Sequence, residues 1–119
     1  MEFVRADSND ANGTHLQGYV QVTYRELTDV FGRPHSDGDG YKVDAEWMIK
    51  FPDGEVATIY NWKNGPNYCG DEGIPTRDIT TWHIGGNKRE VTKRVAELLG
   101  KRRDIDRPES SYFSFPTFI

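Results

Sequence analysis

Histidine and cysteine are the side chains of this sequence with the widest range of chemistry, and the sequence keeps them apart. His15, His35 and His83 fall in three different segments, and Cys69 is the only cysteine. A nucleophile needs a base within hydrogen-bond reach, and a zinc site needs several Cys or His ligands at short spacings. Nucleophile elbows, HExxH and P-loop motifs do not occur in the sequence. We therefore expect no catalytic set, no metal site and no cofactor, and a binding protein rather than an enzyme.

Two carboxylate patterns invite a chemical reading, and each has a plainer explanation. Asp44 and Glu46 alternate on one face of a predicted strand, about 7 Å apart, a separation that would suit a catalytic pair. Alternation on a solvated face explains them equally. Asp37 and Asp39 suggest calcium, but Met48 occupies the twelfth position, where an EF-hand loop requires glutamate. We expect a solvated strand face and a solvated turn.

Aromatic and basic side chains gather near the end of one predicted strand, in the loop that follows it, and on a neighbouring strand. Tyrosine and tryptophan offer a large contact area at little entropy cost, and they are enriched in binding hot spots. They also stack on bases. Core packing is the alternative for each tryptophan, although three of them in 119 residues leave at least one expected at the surface. The sequence predicts a partner-binding set of Trp62, Lys63, Tyr68, Trp82 and His83.

The turn after the last predicted strand is the alternative binding site. Gly85 and Gly86 are predicted to break the strand, and Asn87 is predicted to cap a helix. A helix N-terminus offers free backbone N–H groups and a positive dipole end, and Lys88 and Arg89 add charge there. The turn would then hold a small anionic ligand or a nucleotide signal. A tight turn with solvated basic side chains explains the same residues.

The first helix is the best-marked of the elements that must position these residues. Thr23 and Glu26 form a capping box, in which each satisfies a backbone donor of the other. Gly32 and Pro34 then end the helix. The sequence predicts a helix over residues 24–31, with an apolar stripe at helical spacing made of Tyr24, Leu27, Val30 and Phe31.

Alternating patterns predict strands over residues 18–22, 42–51, 55–62 and 79–84. Pro52-Asp53-Gly54 predicts a hairpin between the second and third of them. The third is apolar on both faces, which predicts a central position covered on both sides. A second helix follows Asn87 and ends at Gly100. The second strand should place Val43, Ala45, Trp47, Ile49 and Phe51 in the core and turn Lys42, Asp44, Glu46 and Lys50 outward.

These patterns predict one α+β domain: a mainly antiparallel sheet of about four strands with two helices on one face. A length of 119 residues with 13% aromatics is typical of one domain with a ring-rich core. We expect a flexible N-terminal arm over residues 1–17, a core domain over 18–100, and a basic, then aromatic tail over 101–119. The tail rings would form an apolar patch unless they dock on this domain, on a second copy or on a partner, so a monomer or a homodimer is expected.

The net charge of −4 conceals an uneven distribution. Residues 1–87 hold 14 acidic and seven basic side chains, whereas residues 88–107 hold eight of the 15 Lys and Arg. This balance disfavours a uniformly basic DNA-binding surface. Nucleic-acid binding through the basic C-terminal helix, with Arg102 and Arg103, remains an alternative.

Targeting signals also bear on where the protein works. A single cysteine cannot form a disulfide within the chain, and residues 1–17 lack the apolar run of a signal peptide. No segment approaches 18 consecutive apolar residues. We expect a cytoplasmic protein with no membrane partner.

Three segments carry a resemblance to a known group: VTYRELTDVFGRP, KVDAEWMIKFPDGEVATIYNWK and DITTWHIGG. Between Gly18 and Leu99 the chain resembles small proteins encoded in bacteriophage and prophage genomes. The marks are specific to that group but imply no particular chemistry. The resemblance implies a phage-encoded protein. Small size, an acidic body, surface aromatics and the lack of a catalytic set then lead us to expect a binding protein that inhibits or sequesters a host component, for example a defence factor, in the host cytoplasm.

A looser likeness is architectural. The helix ending in FGRP, the strand containing EW and the DG turn are similar to the small α+β modules of beta-lactamase-inhibitor and outer-membrane-assembly lipoproteins. Those modules bind proteins on the open face of a sheet. This chain lacks their signal peptide and disulfide pair, so their compartment and targets do not carry over.

Overall fold

The structure of the chain, a computed structural model, describes residues 2–36 and 42–100. The regular elements of these residues are a five-stranded sheet, three α-helices and two short 3₁₀ turns. The strands are β1 (Val4–Arg5), β2 (His15–Gln21), β3 (Glu46–Lys50), β4 (Val56–Tyr60) and β5 (Thr81–Gly86); the helices are α1 (Tyr24–Phe31), α2 (Pro66–Cys69) and α3 (Glu90–Leu98); the 3₁₀ turns span Gly70–Glu72 and Thr76–Asp78.

The sheet runs in the order β1-β3-β4-β5-β2, and every neighbouring pair is antiparallel. The predicted α+β class with an antiparallel sheet is confirmed. The strand β4 is central, as its two apolar faces predict, and Val56–Ile59 are buried along it.

The N-terminal segment departs from the prediction of a flexible arm. Val4 and Arg5 pair with Lys50 and Ile49 of β3, which adds a fifth strand at one edge. At the other edge, β2 begins at His15, three residues before the predicted start, and shifts register between Leu16 and Gly18. The segment is ordered because its backbone groups find partners in distant strands: the Ala6 N–H, for example, donates to Met48 O at 2.9 Å.

The helix α1 forms over the predicted residues. The Thr23 hydroxyl oxygen accepts from the Glu26 N–H at 3.0 Å, and the Glu26 carboxylate accepts from the Thr23 N–H at 3.0 Å. The capping box is therefore confirmed. Gly32 ends the helix with φ of +86°, a conformation that favours glycine, and its N–H donates to Thr28 O.

The core lies between the sheet and one layer of helices. Trp47 and Trp82 are fully buried and meet edge to face, with their ring centroids 5.5 Å apart. Leu27 of α1 and Val91 of α3 belong to the same buried cluster, so both longer helices cover this one face of the sheet. The five predicted core positions of the second strand segment are all buried: Val43, Ala45, Trp47, Ile49 and Phe51.

Two predicted features lie outside the described residues. They are the basic and aromatic tail over residues 101–119 and the turn that contains Asp37 and Asp39. Within the ranges 2–36 and 42–100, no helix has the length and apolar character needed to cross a membrane.

Candidate functional site

The face of the sheet opposite the helices carries a row of aromatic rings. Tyr19 and His83 are cross-strand partners on β2 and β5, and Tyr60 of β4 is the partner of His83 on its other side. Their ring centroids lie 4.7 Å and 5.4 Å apart, and the Trp62 ring lies 6.4 Å beyond that of Tyr60. The alternation of strand side chains puts the three strand residues on one face, because their neighbours Val20, Trp82 and Ile59 point into the core. We call Tyr19, His83, Tyr60 and Trp62 the aromatic row.

The aromatic row is uncharged at neutral pH. Burial lowers the pKa of His83 to about 4, so its imidazole is neutral. Burial also raises the pKa of Tyr60, with smaller contributions from the charges of Glu46 and Tyr19, and burial raises the pKa of Tyr19. The buried Nδ1 of His83 has no hydrogen-bond partner among the described residues. The row therefore presents ring faces and edges rather than charge.

Beyond the row, a mixed basic and aromatic surface faces solvent. The side chains of Trp62 and Tyr68 are both 41% exposed. The Lys63 ammonium lies 5.9 Å from the Trp62 ring centroid and 5.5 Å from that of Tyr68, and the Lys42 ammonium lies 5.4 Å from that of Trp62. These are cation–π distances. We call Lys42, Trp62, Lys63 and Tyr68 the rim.

A buried polar network fixes the backbone that carries the rim. The Asn61 side chain is fully buried, and its Oδ1 accepts from the N–H groups of Asp44 and Ala45 at 2.7 Å and 3.2 Å. Its Nδ2 donates to Asp44 Oδ2 at 2.7 Å and to Asn64 Oδ1 at 3.0 Å. The Asn67 N–H donates to the other Asp44 oxygen at 2.9 Å. The network therefore ties the start of β3 to the loop after β4.

This network corrects the prediction that Asp44 lies on a solvated strand face. Asp44 precedes β3, is buried, and has both oxygens engaged by Asn61 and Asn67. Burying a carboxylate is tolerable here because two N–H groups donate to it, one from the Asn61 side chain and one from the Asn67 backbone. The Asp44 N–H in turn donates to Asn61 Oδ1. Asp44 thus positions the loop and offers no free carboxylate for chemistry.

The backbone of the rim contains one unusual conformation. Lys63 has φ of +60° and is the only non-glycine residue with positive φ in the part of the chain that the structure describes. Its N–H donates to Lys42 O at 2.7 Å, and its carbonyl accepts from the Cys69 thiol at 3.3 Å. A left-handed backbone costs a lysine free energy, so surrounding contacts must impose it. The conformation aims the Lys63 side chain between the two exposed rings.

A shallow hollow of about 300 Å³ lies beside the aromatic row. Tyr60 and Trp62 form aromatic walls, Leu16 forms an apolar one, and Thr58 and Gly85 lie in the wall between β4 and β5. The hollow depends on glycine: a Cβ at position 85 would collide with the Thr58 hydroxyl. This arrangement could receive one side chain of a bound molecule.

The structure separates the five residues of the predicted partner-binding set. Trp62, Lys63 and Tyr68 lie on the rim, and His83 lies in the aromatic row. Trp82 was wrongly included. Its ring is fully buried in the core, and its indole N–H donates to the carbonyls of Val22 and Ile79, both at 3.1 Å.

The predicted anion-binding turn does not have the predicted geometry. Gly85 and Gly86 do not break the strand; they are buried in β5 and paired with β2 and β4. The helix α3 begins only at Glu90, and Asn87 does not cap it, because Arg89 occupies the N-cap position without a side-chain cap. Lys88 is exposed, 3.7 Å from the Glu55 carboxylate.

The sequence alone assigned no function to Tyr19 and Leu16, which complete the surface. It also assigned none to Asp44, which holds the loop behind that surface in place. The signal for Tyr19 was present, since it alternates with the core residue Val20 on a predicted strand. Leu16 stood in the predicted arm, and nothing local marks it as part of a strand.

Neither a search for metal ligands nor comparison with known proteins points to a function. Across residues 2–36 and 42–100, no three His, Cys, Asp or Glu side chains cluster as metal ligands would. Comparison with protein-family models, curated proteins and solved structures finds no match to this chain. The geometry of the open face is therefore the guide to function.

Proposed function

We propose that this chain is a non-enzymatic binding protein that docks a protein partner on the open face of its sheet. The observation that carries the proposal is the continuity of the aromatic row with the exposed rings of the rim. The row crosses three strands, and Trp62 joins it to Lys63 and Tyr68. Exposed tryptophan and tyrosine beside partly buried rings is the composition of a binding hot spot.

The rigidity of this face supports docking. Tyr19, Tyr60 and His83 stand on paired strands, and Asn61 fixes the loop behind Trp62 with four hydrogen bonds. A surface that is already ordered loses little conformational entropy when a partner binds. Aromatic rings with few rotatable bonds add to the same advantage.

Catalysis has less support than binding at this face. His83 is the one histidine of the aromatic row, and a pKa of about 4 makes it a weak base near neutral pH. Tyr19 and Tyr60, its ring neighbours, have raised pKa values and therefore hold their protons. In this proposal the row binds a partner and performs no proton transfer.

The finer parts of the proposal come from the sequence resemblance. The partner would be a host protein that a phage-encoded protein sequesters or inhibits in the host cytoplasm, and an antiviral defence factor is one such target. The small size of the chain and the aromatic rings of its open face suit an inhibitor that covers part of its target. A homodimer formed through residues 112–119 would give the same chain two docking faces, and sedimentation before and after deletion of those residues tests it.

The test compares two apolar-to-alanine variants in a pull-down from host lysate. Trp62→Ala should lose a stoichiometric partner, because it removes the ring that links the row to the rim. Val4→Ala is the matched control, since Val4 is 63% exposed at the far edge of the same sheet. Titration of the purified partner should then show at least tenfold weaker binding to Trp62→Ala alone, as expected for a hot spot. Equal binding by both variants would contradict the proposal.

A further inference from the structure

Two positive charges are concentrated at one exposed ring of the rim. The ammonium groups of Lys42 and Lys63 lie 5.4 Å and 5.9 Å from the centroid of Trp62. The ring quadrupole attracts a cation at these distances, and a carboxylate close to the Lys63 ammonium would gain a charge-assisted contact.

Lys63 has no anion in the described structure. Within residues 2–36 and 42–100, its ammonium forms no ion pair. The carboxylate of the supporting network, that of Asp44, has both oxygens engaged by Asn61 and Asn67. The contacts that Lys63 does make are with two rings, Trp62 and Tyr68. Its charge is therefore held in place without a counter-ion.

The backbone at this position is an independent indication. Lys63 holds φ of +60°, whereas Asn64 and Gly65, the next two residues, are types that adopt that conformation more easily. Strained conformations of this kind persist at functional sites when the surroundings impose them. Here the strained backbone belongs to a lysine whose side chain lies close to two exposed rings.

We infer that Lys63 binds a side-chain carboxylate of an acidic segment of the protein partner. An apolar side chain next to that carboxylate would enter the hollow walled by Leu16, Tyr60 and Trp62. This inference rests on the proposed function and adds the chemistry of the partner: an acidic peptide with interspersed apolar residues. Charge complementarity and the absence of an ion pair at Lys63 are the arguments for this occupant.

The small number of basic side chains on this face favours a single carboxylate over a nucleic acid as the bound anion. A nucleic-acid strand carries a phosphate at every nucleotide, and its binding depends on several Lys and Arg side chains. Residues 1–87 hold 14 acidic and only seven basic side chains, and Lys50 of the same face already pairs with Asp10 at 2.9 Å. One lysine without an ion pair suits one carboxylate.

The experiment uses the full chain and two acetylated ten-residue peptides. One peptide alternates Glu and Leu, and the other has Gln in place of each Glu. Binding is followed by Trp62 fluorescence and by amide chemical shifts over residues 60–69. We expect the Glu peptide to bind about tenfold more tightly than the Gln peptide, the scale of one charge-assisted contact. Lys63→Gln should remove that difference and Lys63→Arg should keep it.

Lys93→Gln is the matched control, because it removes an exposed lysine from α3 on the opposite face. Equal losses in Lys63→Gln and Lys93→Gln would overturn the inference, since they would show a general charge effect. Equal affinity for the two peptides would also overturn it. Tighter binding of a ten-nucleotide oligo(dT) than of the Glu peptide would replace it with nucleic-acid binding. If Trp62→Ala abolishes partner capture while both peptides fail to bind, the docking function stands and the carboxylate inference falls.

Discussion

The side chains of Asn61 and Asp44 are joined by a buried hydrogen bond of 2.7 Å, and the shape of the rim depends on that bond. Asn61 follows β4 directly, and Asp44 stands shortly before β3. The Asn61 side chain also accepts from the Asp44 N–H, and the Asp44 side chain also accepts from the Asn67 N–H. One buried amide and one buried carboxylate therefore hold together two segments that are 17 residues apart.

Replacement of Asn61 should reveal this dependence. Asn61→Ala leaves the Asp44 carboxylate and two backbone N–H groups short of partners, so we expect a loss of about 2–4 kcal/mol in the free energy of unfolding. Urea unfolding measures it. Asn64→Ala is the control, because Asn64 gives only one hydrogen bond to the network and should cost less than half as much. A loss equal to that of the control would show that the network has little energetic weight.

Lys63 should be a position where stability and binding oppose each other. Lys63→Gly relieves the positive φ, and we expect an increase of about 0.5–1 kcal/mol in the free energy of unfolding after the entropy cost of glycine. Lys63→Gln removes the same charge but keeps the strain, so it should not be more stable than wild type. Both variants should bind an acidic partner less tightly. A glycine variant that is less stable than the glutamine variant would contradict the interpretation of strain.

The buried imidazole of the aromatic row should make stability dependent on pH. Burial lowers the pKa of His83 from 6.5 to about 4, so the unfolded chain binds a proton at a higher pH than the folded chain does. The contribution of the neutral His83 to the free energy of unfolding is therefore complete above pH 6.5. It falls by about 2–3 kcal/mol as the pH drops towards 4. Urea midpoints measured between pH 7 and pH 4.5 should fall less in His83→Gln. An equal fall in the wild-type protein and in His83→Gln would contradict the role of the His83 imidazole.

A surface ion pair should act in a lower pH range. Arg94 donates to both Asp53 oxygens at 3.0 Å and 2.6 Å, and this bond lowers the pKa of Asp53 to about 2. A lowered carboxyl pKa stabilises the fold above the unfolded value of 3.8, and that contribution disappears as the pH falls through 2. Arg94→Gln should bring the titration of Asp53, followed by carboxyl NMR shifts, back towards its ordinary range. Arg77→Gln should leave it unchanged, and an unchanged titration in Arg94→Gln would contradict the assignment.

A substitution in the wall of the hollow beside the aromatic row can fill part of it. Gly85→Ala places a methyl group against the Thr58 hydroxyl, and we expect a loss of about 1–3 kcal/mol from overpacking. Thr58→Ala should relieve the collision, so the double variant should recover most of that stability. The double variant would then fold with a shallower hollow and should bind the partner less tightly. Additive losses in the two single variants would show that the two side chains do not meet.

Local signals in the sequence were sufficient for α1 and for the core face of β3. The capping box of Thr23 and Glu26 acts across three residues, and alternation around Trp47 is a property of neighbouring positions. Such features can be recognised without knowledge of the tertiary fold. The central position of β4 could also be predicted, because both of its faces are apolar.

The remaining features depend on residues far apart in the chain. β1 has two residues and no pattern of its own, and it exists because β3 offers an unpaired edge. Asp44 looks solvated in an alternating segment, and only its pairing with Asn61 buries it. Trp82 and Trp62 are the same residue type near predicted strand ends, and their different burial follows from the face to which each strand turns them. The predicted start of α3 was wrong because Gly86 continues β5. A Cβ at this position would collide with Val91 of α3, and glycine lets the strand pass beneath the helix.

The two outer strands of the sheet determine how another chain can approach it. β1 is only two residues long, and β2 changes register between Leu16 and Gly18. A short edge and an irregular edge are poor templates for the addition of an external strand. Growth of the sheet into fibrils is therefore discouraged at both ends, and so is recognition of an extended peptide through backbone ladder bonds. A chain that docks on this sheet would approach its open face and make its contacts through side chains, so the rings and charges displayed there would discriminate between partners.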